Sequence, residues 1–264
     1  MRLNKMIFCF AIVLTFCQCQ QLKNQKTDKE NWQVLFNGEN LDGWVVKFNH
    51  HELGDNYANT FRVVDSVIQV NYDGYTEFGE RFGHLFYHKP FSAYHLKFEY
   101  RFTEQWMDEA PIHAYRNSGI MFHSQDPKII LKDQKWPVAV EFQFLAEETE
   151  GETRHTGNSC SPGTHIHKDG ELLTQHVTQS SSKTYKWNQW VKGELIVDKQ
   201  SNITHIVEGD TVLQYSNPII GGLAIIGSDT AMLVDGTAIS SGFIGLQAEG
   251  QGVEFKSIKI KTLD

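Results

Sequence analysis

From Trp32 onward, apolar and polar residues alternate with period two over short runs, and helical spacing is hard to find. The stretch Trp136 to Leu145 is the centre of the pattern. Side chains alternate faces along a strand, so Val138, Val140, Phe142 and Phe144 form one apolar ridge, while Ala139, Glu141, Gln143 and Leu145 point the other way. Residues 118–123 divide likewise, with Ser118, Ile120 and Phe122 opposing Gly119, Met121 and His123. In 243–249, Ile244, Leu246 and Ala248 oppose Gly245, Gln247 and Glu249. If the three strands share a sheet, Glu141, Gln143, His123, Gln247 and Glu249 line one polar surface. Tyr94 to Phe102 alternates throughout, which predicts a core strand with a solvated outer face whose charges carry no function. Further strands are expected over 61–64, 67–70, 172–177, 190–198, 203–208, 212–215 and 253–260, with a hairpin turn at Asp65-Ser66. Residues 72–83 read as a surface loop, and 146–163 as a long irregular segment whose second half walls a pocket. The pattern is that of an all-β sandwich or jelly roll.

The N-terminus departs from this pattern. Arg2 and Lys5 precede the apolar run Met6 to Phe16, well short of the ~20 residues that span a membrane. It reads as an export signal over residues 1–19, followed by a polar tether over 20–31 and one domain over 32–262. Cys17 and Cys19 are candidates for lipidation in a bacterial cell envelope, although Phe16 and Gln18 stand where a small residue normally precedes the cysteine. The other reading is plain secretion, into the periplasm or beyond. Any membrane contact is expected only through such an anchor. In the body Cys160 stands alone, so no internal disulfide forms there. The 24 Lys and Arg residues against 32 Asp and Glu give a net charge of -8 with no basic stripe, which argues against a nucleic-acid partner.

Glu141 and Glu249 are the first catalytic candidates, since a carboxylate on a pocket floor serves as acid, base or nucleophile according to its surroundings. The plain alternative is that both face solvent. Gln143 and Gln247 each sit two residues from a Glu on the same face, placed to bond a hydroxyl-rich ligand. On a strand, the H-x-H pair His165 and His167 would share a face and bind a divalent metal with His113, His123 or His155. No H-E-x-x-H or paired-Cys spacing supports this, so no cofactor is expected. Cys160 reads as a buried thiol rather than a nucleophile, and Ser180 to Ser182 as loop. The loop 103–117 holds Trp106, His113, Tyr115 and Arg116, aromatic and basic groups of the kind that stack on sugars or plug a core.

Four segments, in order, resemble a known family: Leu35-Phe36-Asn37-Gly38 with Leu41-Asp42-Gly43-Trp44; Arg116 to His123; Glu141-Phe142-Gln143; and Gly245 to Gly250 leading into Val253 to Ile260. The set resembles the 3-keto-disaccharide hydrolase domain family over roughly Trp32 to Ile260. Two positions differ from the commoner family pattern: Ala146-Glu147 follows the Glu-x-Gln strand where an Asp is frequent, and Ala248-Glu249 replaces Asp-His. The resemblance implies a concanavalin-like jelly roll of two antiparallel sheets, acting on oxidised glycosides in the cell envelope. It also implies a carbohydrate substrate held by Arg116, Asn117, His123, Trp136, Gln143, His165 and Gln247. A ketone at sugar carbon 3 acidifies the hydrogen at carbon 2, whose loss expels the group on carbon 1. Glu141 is expected to take that proton, and Glu249 to assist the leaving group or the incoming water. Two rivals stay open: a conventional glycosidase using the same carboxylate pair, and a carbohydrate-binding module that holds glycan without cleaving it.

Overall fold

The alternating runs pair edge to edge into two antiparallel sheets. A computed structural model describes residues 31–222, 225 and 227–263. The expected export signal and lipidation sites, and the tether as far as residue 30, lie outside the described residues. A ten-stranded sheet orders Glu171–Leu173, Thr164–Lys168, Asp210–Ile220, Asn202–Val207, Val191–Val197, Tyr94–Trp106, Gln251–Thr262, Val67–Val70 and Phe61–Val64, with Gln33–Val34 also paired to Gln251–Thr262. A seven-stranded sheet orders Val177–Thr178, Asn158–Cys160, Val140–Leu145, Asn117–Ser124, Phe243–Ala248, Gly83–Tyr87 and Trp44–Phe48. This is the all-β sandwich expected from the pattern, in the concanavalin-like jelly-roll form that the family resemblance implies. Trp32 to Asp264 form one compact unit.

Apolar ridges from the two sheets meet in between. Val140, Phe142 and Phe144 are fully buried, as are Ile244, Leu246 and Ala248. Tyr100 stacks on Phe144 at 3.8 Å, and Phe98 meets Phe142 edge-on at 5.4 Å. Truncating a ring of this kind to Ala costs about 3–5 kcal/mol, because the cavity does not collapse. One polar group sits among these rings: His205 stacks on Phe142 at 4.1 Å, and its two ring nitrogens are satisfied by Gly157 O at 2.9 Å and Tyr215 OH at 2.8 Å.

Two local features bear on the site. Asp65 and Ser66 both adopt positive φ, 49° and 62°, the geometry that joins two right-twisted strands through a two-residue turn. The segment 146–163, expected to be irregular, contributes the strand Asn158–Cys160, which pairs with Glu141 to Gln143. Likewise the run 172–177 is not one strand; Glu171–Leu173 joins the ten-stranded sheet and Val177–Thr178 the seven-stranded one.

Candidate active site

The face of the seven-stranded sheet turned away from the core carries the candidate chemistry. Strand register sets Met121, Glu141 and Cys160 side by side in one row. The next row holds Gly119, Gln143 and Asn158, and in line with it across the sheet come Gln247, His84 and Lys47. Gly119 is needed where it stands. A Cβ there would lie 2.8 Å from Cδ of Glu141 and 2.7 Å from its Cγ, so the carboxyl lies over the glycine backbone.

This face is not wet. Glu141, Gln143, Asn117, Gln247 and Glu249 are all buried, because loops cover the sheet. Residues 72–83, expected to lie on the surface, send Phe78 and Phe82 into a second apolar cluster with Ala110, against which Trp106, Met107 and Trp136 pack. The Trp136 ring lies 4.7 Å from Phe82, and its indole N–H donates to Glu249 Oε1.

Burial sets the proton affinities. It pushes the Glu249 carboxyl up to about 7, opposed by the Trp136 hydrogen bond to its charged form. Glu141 is raised well above the usual carboxylate range, first by burial and then by the negative charge of Glu249, with a smaller opposing effect from the Cys160 thiol. Glu141 Oε1 finds no hydrogen-bond partner in the protein. The two acids therefore titrate as a pair in which the first proton leaves Glu249, the member with an N–H donor.

The surrounding amides are oriented. Asn158 Nδ2 donates to Gln143 Oε1 at 3.1 Å, which leaves the Gln143 NH2 to face a ligand. Asn117 Nδ2 donates to His113 O at 3.0 Å, and Asn117 Oδ1 is left without a partner. Gln247 Oε1 and His84 Nε2 are also buried and unpaired. Buried polar atoms are nearly always paired, so several orphans on one face suit a polar ligand.

Three residues expected on this surface lie elsewhere. His123 sits at a bulge: Ser124 pairs with Phe243 and Met121 with Gly245, so its strand has one residue more than its partner, and His123 has a positive φ of 47°. Alternation fails there, and the imidazole turns to Tyr94 and Phe122, at 6.5 and 5.5 Å. His165 belongs to the ten-stranded sheet, opposite in facing to the buried Ile166, with its ring on Gly221 and Gly222. Arg116 is a clamp: its guanidinium donates to the carbonyls of Glu147 and Glu148 and lies over the rings of Tyr115 and Trp187.

The described residues offer no group of three or more His, Cys, Asp or Glu side chains placed to hold a metal ion. The H-x-H pair is divided in its contacts, since His167 Nδ1 bonds Asn217 O at 2.9 Å. A cleft of about 380 Å³ opens elsewhere, lined by His123, Val138, Ile220 and Phe243 together with Asp126 and Asp229. Those two carboxylates cap short 3-10 turns through the N–H groups of Lys128 and Ala231, both at 2.9 Å. The buried acid pair thus marks the site better than the larger opening does. One neighbour of the pair carries no sequence signal: His176 reaches Cys160 Sγ at 3.2 Å, and only the pairing of Val177 with Cys160 brings it there.

Known proteins agree with this fold. A presumed glycosyl hydrolase from Parabacteroides distasonis, solved at 1.70 Å, superposes with a TM-score of 0.53 at 19% identity, covering 88% of this chain and 94% of that one. A second from the same organism gives 0.52 at 18% identity, covering 89% and 100%. No curated protein matches the chain. Residues 31–261 match the model of the 3-keto-alpha-glucoside-1,2-lyase-like domain, and the chain belongs to that family.

Proposed function

We propose that the protein cleaves 3-keto-glycosides by removing the proton at sugar carbon 2 and expelling the group on carbon 1, with water then adding across the double bond. The observation that carries this reading is a pair of buried carboxyls of which Glu249 accepts the Trp136 N–H while Glu141 Oε1 has no partner in the protein. Glu249, which ionises first, is the base at carbon 2. Glu141, which keeps its proton, is the acid that protonates the departing oxygen. This inverts the roles expected from the sequence, where Glu141 was the base. Alternation along a strand cannot rank two carboxyls; the Trp136 donor at Glu249 supports the order taken here.

The free NH2 of Gln143 is placed to stabilise the enolate oxygen as charge develops. Asn117 and Gln247 offer acceptors to sugar hydroxyls. The ligand is accordingly an uncharged carbohydrate. The export pattern read in the first residues supports extending this reading to an activity in the periplasm or cell envelope.

Cleavage of a 3-keto-disaccharide in heavy water tests the mechanism. Deuterium at carbon 2 of the product, read by NMR, is the expected result. Cleavage without deuterium there, or equal activity on the unoxidised disaccharide, would instead indicate a conventional two-carboxylate glycosidase.

A further inference from the structure

The Glu141 carboxyl meets one polar side chain that leads out of the protein. Cys160 lies directly across the strand pair from Glu141, in the same row of the sheet. The same sulfur is 3.2 Å from Nε2 of His176. His176 is exposed, and its carbonyl is fixed by the Ser161 N–H at 2.9 Å. A buried acid, a buried thiol on the neighbouring strand and a solvent-facing imidazole therefore follow one another from the site to the surface. Burial pushes the Cys160 thiol up, so the sulfur stays protonated and is a poor nucleophile. What remains open to it is to pass one proton while receiving another.

We propose that Cys160 and His176 carry protons from solvent to the Glu141 carboxyl, so that elimination alone can turn over. The inference rests on the acid and base roles assigned above. Elimination moves the carbon 2 proton to Glu249 and the Glu141 proton to the leaving oxygen. If water then adds in the same site, both transfers run backwards and the pair is restored without help. If the unsaturated ketone leaves first, Glu141 is stranded as a carboxylate and Glu249 as the acid. Solvent then protonates His176 at Nδ1, its Nε2 proton passes to the sulfur, and the thiol proton passes to Glu141. The thiol ends as it began, the imidazole ends as its Nδ1–H tautomer and regains the Nε2–H form by exchange with solvent, Glu141 has gained a proton, and Glu249 returns its own to water as the product departs.

The test compares the first turnover with later ones, by rapid mixing of a 3-keto-disaccharide with the full-length protein. Cys160→Ala and His176→Gln should keep the first turnover and slow later ones on the order of tenfold or more, the usual worth of a placed proton carrier. Cys160→Ser, which keeps a hydroxyl to relay the proton, should restore later turnovers. Imidazole in the buffer should rescue His176→Gln and leave Cys160→Ala slow. Steady turnover of Cys160→Ala at the wild-type rate would overturn the proposal, since it would mean that the pair is reset without the thiol, by water adding in the same site or by direct transfer between the carboxyls. A matching loss in the first turnover would also overturn it and make the thiol a packing residue. A second readout needs no substrate: the S–H infrared stretch of Cys160 in the free protein should shift both in Glu141→Gln and in His176→Gln. If neither moves it, the chain is not connected, whether or not the glycoside is cleaved. If wild-type protein cleaves no 3-keto-glycoside, the proposed function falls, and the infrared result alone decides on the relay.

Discussion

The two outer faces of this sandwich are written in the same sequence grammar and do opposite things. On the ten-stranded sheet, Glu194 pairs with His95 at 2.6 Å and Lys97 at 3.2 Å, and Glu99 with Lys256 at 3.6 Å, all in partly open positions. On the seven-stranded sheet, Glu141 and Glu249 form no salt bridge among the described residues and are buried, burial raises the proton affinity of both, and the charge of Glu249 raises that of Glu141 further. The difference lies in the loops. The segments 72–82, 107–116 and 125–139 bring Phe78, Phe82, Ala110 and Trp136 over one face, while the other stays open to water that screens its charges. Uncovered carboxylates solvate and pair; covered ones hold protons and become available for acid and base chemistry.

The strongest way to break this comparison is to exchange oxygen for nitrogen on both faces. Glu249→Gln and Glu141→Gln should each lower kcat on the order of a thousandfold, about 4 kcal/mol of barrier, with no large further loss in the double variant because the two act as a unit. Glu194→Gln on the open face should leave kcat within about twofold and stability within about 1 kcal/mol. Steady-state kinetics with matched denaturation curves checks both halves. Comparable losses on the two faces would mean that burial is not what distinguishes them.

Stability against pH separates the faces next. Glu249 has an ordinary value of 4.5 and is raised to about 7 in the folded protein, so between those values the folded chain holds a proton that the unfolded chain has lost. Its contribution is fully present below about pH 4.5 and is lost as pH rises through 7, roughly 3 kcal/mol in all. The buried imidazoles act in the opposite sense. His84 and His205 are lowered to about 3 and His123 to about 4 by burial, so they cost stability as pH falls below 6.5. The total curve mixes the two effects, and the informative quantity is the difference between wild type and Glu249→Gln. That difference should shift in favour of the variant as pH rises from 4.5 to 7, as measured by urea denaturation at each pH. A flat difference would place Glu249 in water.

The fold was largely legible in the sequence because period-two alternation is a local property. It marked Tyr94 to Phe102, in a strand that runs on to Trp106 where a loop was expected, and the ridge Val140, Phe142 and Phe144, and the Asp65-Ser66 turn follows from two residues that tolerate positive φ. Glu141, Gln143, Gln247 and Glu249 were legible as sharing a facing, for the same reason. The misplaced residues depend on what the partner strand does. His123 leaves the face because its strand carries one residue more than its neighbour, which no single segment announces. His165 read as a strand residue and is one, but in the other sheet. His176 had no signal at all, since its place beside Cys160 comes from a two-residue strand. The Trp136 donor to Glu249, on which the proposed acid and base roles rest, was beyond reach because it comes from 113 positions away.

The smallest expected effect sharpens the comparison most finely, because it asks whether Glu141 lies folded over the sheet or stands up from it. Alanine at Gly119 would place a Cβ 2.7 Å from Cγ of Glu141, inside contact distance of a buried side chain with little room to move. Overpacking of this kind costs ~1–3 kcal/mol, against the ~0.5–1 kcal/mol that replacing a strand glycine otherwise gains. Gly119→Ala should therefore destabilise in urea denaturation, and should also lower kcat by moving the acid off its mark. In the background of Glu141→Ala the same substitution should be neutral or stabilising, giving a coupling energy of about 1–3 kcal/mol in the double-mutant cycle. Additivity would mean that the carboxyl does not rest on the glycine. The acid would then be held by Cys160 alone, and the Glu141–Cys160 contact would have to account for its whole orientation.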